Sequence, residues 1–237
     1  RSTLEHDLQM AEAQTARELT SAEAHLDFFA NVVLGPLLAA GDPLPAAHAI
    51  AARQVAAMIA TEPTLYQVKL ADADGAYRMI ARASGEIRPL RGAAGAEFYA
   101  WLATTLPKGR RLLLPIEVSG PDGGSRAPIP AVAIVVPVRG VNGTFLGVVV
   151  GEAYASRLFA QLDRASPGFA GVTGLVDDEG QFLYHSERKR DWATLLAVRD
   201  QVSLRNDFPP PVVAAMLSGR AGSLVTPRGD LVSYRPL

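Results

Sequence analysis

The sequence predicts an α+β chain: a long N-terminal helix followed by two tandem modules, each built on an antiparallel sheet. Three observations carry this. An apolar stripe at helical spacing runs through the first 33 residues. From Leu65 the texture changes to short strands punctuated by Asp/Gly turns. One strand-turn-strand unit then recurs at a constant offset of 105 residues.

The stripe consists of Leu4, Leu8, Ala11, Thr15, Leu19, Ala22, Leu26, Phe29 and Val33, which follow one another at spacings of three and four. That spacing places them on one helix face, with Glu5, Asp7, Gln9, Glu12, Arg17 and Glu18 mostly off it. Thr15 is its one polar member. Ser2 or Thr3 is placed to cap the start. Gly35-Pro36 is expected to end or kink the helix, because proline has no N–H to donate. At about 1.5 Å per residue the helix is about 45–50 Å long, longer than a small domain is wide. It must pack along two domains or pair with a second copy, so a homodimer through this helix is expected. A second helix is expected after Asp42, with Pro43 or Pro45 in its first turn. It runs through His48, Ile50, Val55, Met58 and Ile59 and stops before Glu62-Pro63.

The strands come next. Tyr66 to Leu70 and Ala76 to Ile80 flank Asp72-Ala73-Asp74-Gly75, a hairpin signal. A short helical piece is expected around Ala96 to Thr105. Strands follow at Arg111 to Val118, Ala131 to Val138 and Thr144 to Gly151, then a helix at Ala153 to Arg164. The repeat aligns Leu70, Asp72, Gly75 and Tyr77 with Leu175, Asp177, Gly180 and Phe182. The second module continues with helical material at Asp191 to Asp200, a helix at Val212 to Leu217, and strands at Gly222 to Thr226 and Leu231 to Arg235. The expected division is 1–64 for the helical spine, 65–166 for the first module and 167–237 for the second.

Composition bounds the function. The chain has 237 residues, 49% hydrophobic and 20% charged, with a net charge of -1. That supports a real core and gives no basic footprint for nucleic acid. The one basic cluster, Arg188-Lys189-Arg190, is flanked by Glu187 and Asp191 and reads as a solvated loop. The absence of cysteine removes disulfides, thiolate metal sites and thiol nucleophiles, and fits an oxidising compartment. The chain starts at Arg1 and stops at Leu237 directly after a strand, so both ends read as cuts from a longer protein.

No catalytic constellation is visible, and no cofactor is expected. His6, His25, His48 and His185 form no HxxxH or HExxH spacing. There is no GxSxG elbow, P-loop or GxGxxG turn. Asp177-Asp178 sits in a hairpin turn, where carboxylates bond backbone N–H groups. An unrecognised hydrolase remains a minor alternative. The stronger signal is a binding pocket for a small solute. Phe98, Tyr99 and Trp101 fall on the helical connection before the third strand, and aromatics offer apolar faces with polar tips. A plain core role explains them too. Glu152 closes an apolar strand and could hold an ammonium or a water network, or face solvent. Arg78, Arg82, Arg126 and Lys69 are the cations placed to meet a carboxylate.

Taken in order, several motifs resemble the periplasmic double-Cache (tandem PAS-like, PDC) sensor domains of bacterial histidine kinases and diguanylate cyclases. They are Gln67-Val68-Lys69-Leu70 with Asp74-Gly75, Glu97-Phe98-Tyr99, Leu114-Pro115-Ile116, Val136-Pro137-Val138 and Gly147 to Val150. In the second module they are Gly174 to His185, Asp207-Phe208-Pro209 and Ser233 to Pro236. The resemblance covers most of the chain. It implies a helix rising from a first span of the inner membrane, a membrane-distal module that binds the ligand, and a membrane-proximal module leading to a second span. In the amino-acid-binding branch an arginine and two aromatics precede the third strand, and an aspartate ends the last. Phe98-Tyr99 stand for the aromatics and Glu152 for the acid. The arginine has no counterpart, since Gly92 to Ala96 reads Gly-Ala-Ala-Gly-Ala. The implied ligand is thus an organic acid, an amino acid or a similar polar solute. The implied parent is a sensor histidine kinase, with a diguanylate cyclase or chemoreceptor as alternatives. A protein-partner or dimerisation module without a ligand is the structural alternative.

Overall fold

A computed structural model of the chain describes residues 2–40, 45–62, 64–82, 87–88, 112–118, 129–165, 171–187 and 202–236. The chain divides into two compact units. One gathers Leu19–Leu114 and Ala131–Tyr154; the other gathers Arg1–Glu18, Pro115–Pro130 and Ala155–Leu237.

Helix α1 (Ser2–Phe28) follows the predicted stripe. Ala11, Leu19, Ala22 and Leu26 are buried. Thr15 is buried as well, and its hydroxyl donates to the Ala11 carbonyl at 2.9 Å, so the polar member of the stripe is satisfied inside its own helix. The helix does not end at Gly35-Pro36. A π-helical turn (Phe29–Leu34) leads into α2 (Gly35–Ala39). The Gly35 N–H bonds to the Ala30 carbonyl, five residues back. The turn widens just before the proline, and Pro36 falls in the first turn of α2, where no N–H is needed. Helix α3 (Pro45–Thr61) buries Ala51, Ala52, Val55, Met58 and Ile59.

The first unit is centred on a six-stranded sheet with the order β3-β2-β1-β6-β5-β4, in which β3, β2, β1, β6 and β5 pair antiparallel. The strands are β1 (Leu65–Asp72), β2 (Tyr77–Arg82), β3 (Ile87–Arg88), β4 (Leu112–Val118), β5 (Ile129–Arg139) and β6 (Phe145–Tyr154). Residues directly opposite across antiparallel strands share a face. Ala81, Val68, Gly151 and Ile134 form one row, and Met79, Leu70, Val149 and Val136 the next. This is the helix-covered face. A Cβ added at Gly151 would lie 2.5 Å from Leu26 Cδ1, so only glycine lets α1 approach so closely here. On the opposite face the rows are Arg82, Gln67, Glu152 and Ala133, then Ile80, Lys69, Val150 and Val135.

The second unit contains α4 (Ala155–Ala165), the hairpin β7 (Gly174–Val176) and β8 (Phe182–His185), α5 (Leu204–Asp207), α6 (Pro210–Met216), and the hairpin β9 (Gly222–Val225) and β10 (Leu231–Tyr234). The short α5 has no counterpart among the elements expected from the sequence. Phe182, Leu204 and Val213 form its core, with Phe208, Met216 and Leu217 packed around them. The ring of Tyr184 lies 5.0 Å from that of Phe159 in α4, and its hydroxyl donates to Asp163. The start of α1 is tied in by Ser223 donating to Glu5 and by a 2.7 Å ion pair between Arg235 and Glu12.

The repeat seen in the sequence is a repeat of hydrogen bonds. In the first turn Asp72 Oδ1 accepts from the N–H groups of Asp74 and Ala76, and Gly75 has φ 81°. In the second, Asp177 Oδ1 accepts from Glu179 and Gln181, and Gly180 has φ 85°. Every partner is displaced by the same 105 positions. A third hairpin uses the same backbone plan with Thr226 Oγ1 in place of the carboxylate, accepting from Arg228 and Asp230.

Candidate ligand-binding face

The site begins with an acid in the wrong place for solvation. Glu152 is 2% exposed, the one charged residue in a strand otherwise built from Phe, Leu, Gly, Val, Ala and Tyr. Burying an ionised carboxylate costs several kcal/mol unless it is paired and hydrogen-bonded. Three side chains from β1 supply that pairing. The Tyr66 hydroxyl donates to Oε2 at 2.6 Å. The Gln67 amide also donates to Oε2, and the Lys69 ammonium forms an ion pair with Oε1.

Register explains why these groups meet. Gln67 lies directly opposite Glu152, and Lys69 is two residues along β1 on the same face. Tyr66 reaches the same carboxylate because the β1–β6 register shifts between Leu65 and Gln67, a bulge that re-aims one side chain. The Tyr66 ring stacks on Tyr154 with centroids 4.1 Å apart and planes 9° from parallel. Burial first, and then the negative charge of Glu152, push the Tyr66 hydroxyl far above its ordinary pKa. It therefore stays protonated, donating to the carboxylate while its oxygen accepts from the Gln67 amide at 3.2 Å. Gln67 extends the network in the other direction, its Oε1 accepting from Arg82 Nε at 3.1 Å. Because one end of the amide faces a carboxylate and the other a guanidinium, its orientation is fixed. The surrounding positions on this face, Ala133, Val135 and Val148, are buried and apolar.

The strand predicted to stop at Gly151 continues to Tyr154, so Glu152 lies within it. Arg78 lies elsewhere: it pairs with Asp72 at 2.7 Å beside the hairpin turn. There it lines a cleft of about 450 Å³ with Leu38, Asp72, Asp74 and Phe145. Glu152 and Arg78 are not brought together. Phe98, Tyr99, Trp101 and Arg126 lie outside the described residues. Lys69 and Arg82, named as nearby cations, do join the Glu152 network. Tyr66 and Gln67 were not read as site residues. Gln67 carried a usable signal, a polar residue beside the buried Val68 and Leu70, whereas the bulge that turns Tyr66 inward has no sequence signature.

A second buried carboxylate, Glu62, lies at the end of α3. It accepts from Ser21 at 3.1 Å and from the Thr64 N–H at 3.3 Å, and it lies 2.9 Å from His25 Nδ1. It ties α1 to the start of β1. Among the described residues no group of three or more His, Asp or Glu side chains could hold a metal ion.

Comparison with solved structures gives the architecture a context. The extracellular domain of vpHK1S-Z8, a protein described as a histidine kinase, superimposes with a TM-score of 0.74 at 16% identity, covering 100% of this chain and 85% of that one. This chain shares the fold of that extracellular domain. A domain of a sensory box/GGDEF family protein from Vibrio parahaemolyticus matches with a TM-score of 0.74 at 16% identity, covering 100% of this chain and 89% of its own. The periplasmic sensory domain of the Campylobacter jejuni chemoreceptor Tlp1 matches with a TM-score of 0.66 at 13% identity, covering 95% and 86%. No family model and no curated protein sequence matches the chain. The expected fold class, α+β with a long N-terminal helix and antiparallel sheets, is the one these sensor domains share.

Proposed function

We propose that the chain is the extracytoplasmic ligand-sensing region of a bacterial transmembrane receptor, and that it binds a small polar solute on the Glu152–Gln67–Lys69 face of the six-stranded sheet. The observation that carries this is the polar row itself. A central strand pair keeps a buried carboxylate, an ammonium and an amide among apolar neighbours, where valine or alanine would be cheaper to fold. Few convergent polar groups in an apolar setting are the usual make-up of a small-molecule site.

A sensor histidine kinase is the proposed parent, supported by the histidine-kinase sensor domains among the similar structures. The GGDEF and chemoreceptor relatives of the fold favour the second reading, a diguanylate cyclase or chemoreceptor parent. The periplasmic side of the inner membrane is the proposed location. Among the described residues no helix is long and apolar enough to cross a membrane. Signalling requires that the solute bind two arrangements of the receptor with different affinity.

The test is a thermal-denaturation screen of the chain against metabolites. A true ligand at a hundredfold its Kd stabilises by about 2.7 kcal/mol, a shift of several degrees for a chain of this size. Failure of every acid, amine, sugar and peptide to raise the melting temperature overturns the ligand-binding proposal.

A further inference from the structure

We infer that the cleft at the hairpin end of the six-stranded sheet is a second ligand site, separate from the Glu152 face. It takes an organic monocation with an apolar body and a neutral acceptor beside the ammonium, the chemistry of an amino amide. The cleft has a volume of about 450 Å³, with Leu38, Phe145 and Leu146 on its apolar wall and Asp72, Asp74 and Arg78 on its polar one. An apolar wall with a few convergent polar groups is the usual make-up of a small-molecule site. Asp72 lies two positions beyond Leu70 on β1 and so belongs to the helix-covered face, where Leu38 comes from α2. Gln67 and Glu152 point to the other face.

The repeated turn supplies an internal control for Arg78. The second copy makes the same two bonds from Asp177 Oδ1, yet Leu183 stands 105 positions after Arg78. The turn therefore closes without an arginine, and Arg78 is an addition made in the first copy. Its Nε donates to Asp72 Oδ2 at 2.7 Å, and its terminal nitrogens donate to no described residue. Most of its five N–H donors are thus left for an acceptor.

Charge decides which guest fits. Asp72 is committed: Oδ1 accepts from two backbone N–H groups and Oδ2 from Arg78. The Asp74 carboxylate accepts from no described residue. Two acids and one arginine on the wall leave one negative charge, that of Asp74. An ammonium meets Asp74 through charge-assisted bonds, and a neutral carbonyl meets Arg78. A carboxylate in that second place would face Asp72 and Asp74, and like charges brought together count against the wrong partner.

Calorimetric titration of the whole chain with leucinamide, isoamylamine and 4-methylpentanoate tests each group of the guest in turn. Expected is one leucinamide per chain. Isoamylamine, which lacks the carbonyl, binds about tenfold more weakly, the scale of a lost hydrogen bond to a charged group. The carboxylate, which lacks the ammonium, is the weakest of the three. Asp74→Asn and Arg78→Leu each weaken leucinamide about tenfold or more. Both positions are exposed, and leucine already occupies the matching place in the second turn, so both variants are expected to fold. Tighter binding of 4-methylpentanoate than of leucinamide overturns the inference. Leucinamide affinity unchanged in both variants overturns it too. A chain that takes none of the three compounds also overturns it, and leaves the Glu152-face reading standing, because Asp74 and Arg78 bond to no described residue of that row.

Discussion

Gln67 and Glu152 face each other across β1 and β6, and the amide of the first donates to the buried carboxylate of the second. This pair makes the rest of the polar row possible. Without the amide, the carboxylate loses a donor and Arg82 loses one acceptor.

Removing the acid is therefore expected to cost more than neutralising it. Glu152→Ala removes the anion that Tyr66, Gln67 and the partly exposed Lys69 share, a loss of about 1.5–3 kcal/mol, the scale of a hydrogen bond to a charged group. Glu152→Gln keeps the shape and part of the hydrogen bonding and is expected to cost less. Urea denaturation of the two variants measures the order. Equal, small losses below about 1 kcal/mol would mean that the network contributes little to folding.

The matching turns make a second prediction. Gly75 and Gly180 have φ of 81° and 85°, in the left-handed region. Gly75→Ala and Gly180→Ala are each expected to destabilise by about 1–2 kcal/mol. A loss at one turn and none at the other would break the equivalence of the two modules.

Asp177 supplies a pH test with a defined sign. Burial is the main cause holding its carboxyl above the ordinary value of 3.8, partly offset by the N–H donors of Gln181 and Glu179. The folded chain thus binds this proton more tightly than the unfolded chain does. The stability it contributes is complete below the unfolded pKa and is lost as pH rises through the folded one. Asp177→Asn keeps an oxygen for both N–H groups and removes the titration. Denaturation midpoints of the two proteins across mildly acidic to neutral pH should diverge in favour of the variant as pH rises. A divergence of the opposite sign would contradict the burial argument.

The large features were legible in the sequence because each has a strong local cause. The stripe of α1 is a period, and the Asp-Gly turns need a carboxylate and a left-handed glycine at fixed offsets. Harder to read was anything set by tertiary register. The pairing of Gln67 with Glu152 spans 85 positions, and the bulge at Tyr66 depends on the neighbouring strand. Gly35-Pro36 read as an end or a kink, and the π turn that accommodates the proline has no simple composition. The close contact of Gly151 with Leu26 was invisible for the same reason.

That contact yields a coupled pair. Gly151→Ala is expected to destabilise by about 1–3 kcal/mol through overpacking, and Leu26→Ala by about 2–5 kcal/mol through a cavity. Combined, they should cost less than their sum, because the new methyl enters the space the leucine vacates. Strict additivity would place Leu26 away from the sheet.

Dimerisation through the first helix remains a proposal, now with a different face. The stripe from Ala11 to Phe29 is buried within the chain, while Met10 at 45% and Phe28 at 54% are exposed. They are eighteen positions apart, about five helical turns, and so share a meridian. Phe28→Glu is expected to shift a concentration-dependent dimer to monomer in sedimentation velocity. A wild type that stays monomeric at high concentration would end the proposal.

The most direct measurement follows the Gln67 side-chain amide by two-dimensional ¹⁵N–¹H NMR, assigned through Gln67→Leu, as the compound with the largest thermal shift is added. Binding on this sheet face predicts that the two amide protons move and saturate at one ligand per chain. A ligand that saturates the chain while those two signals stay in place would contradict the account.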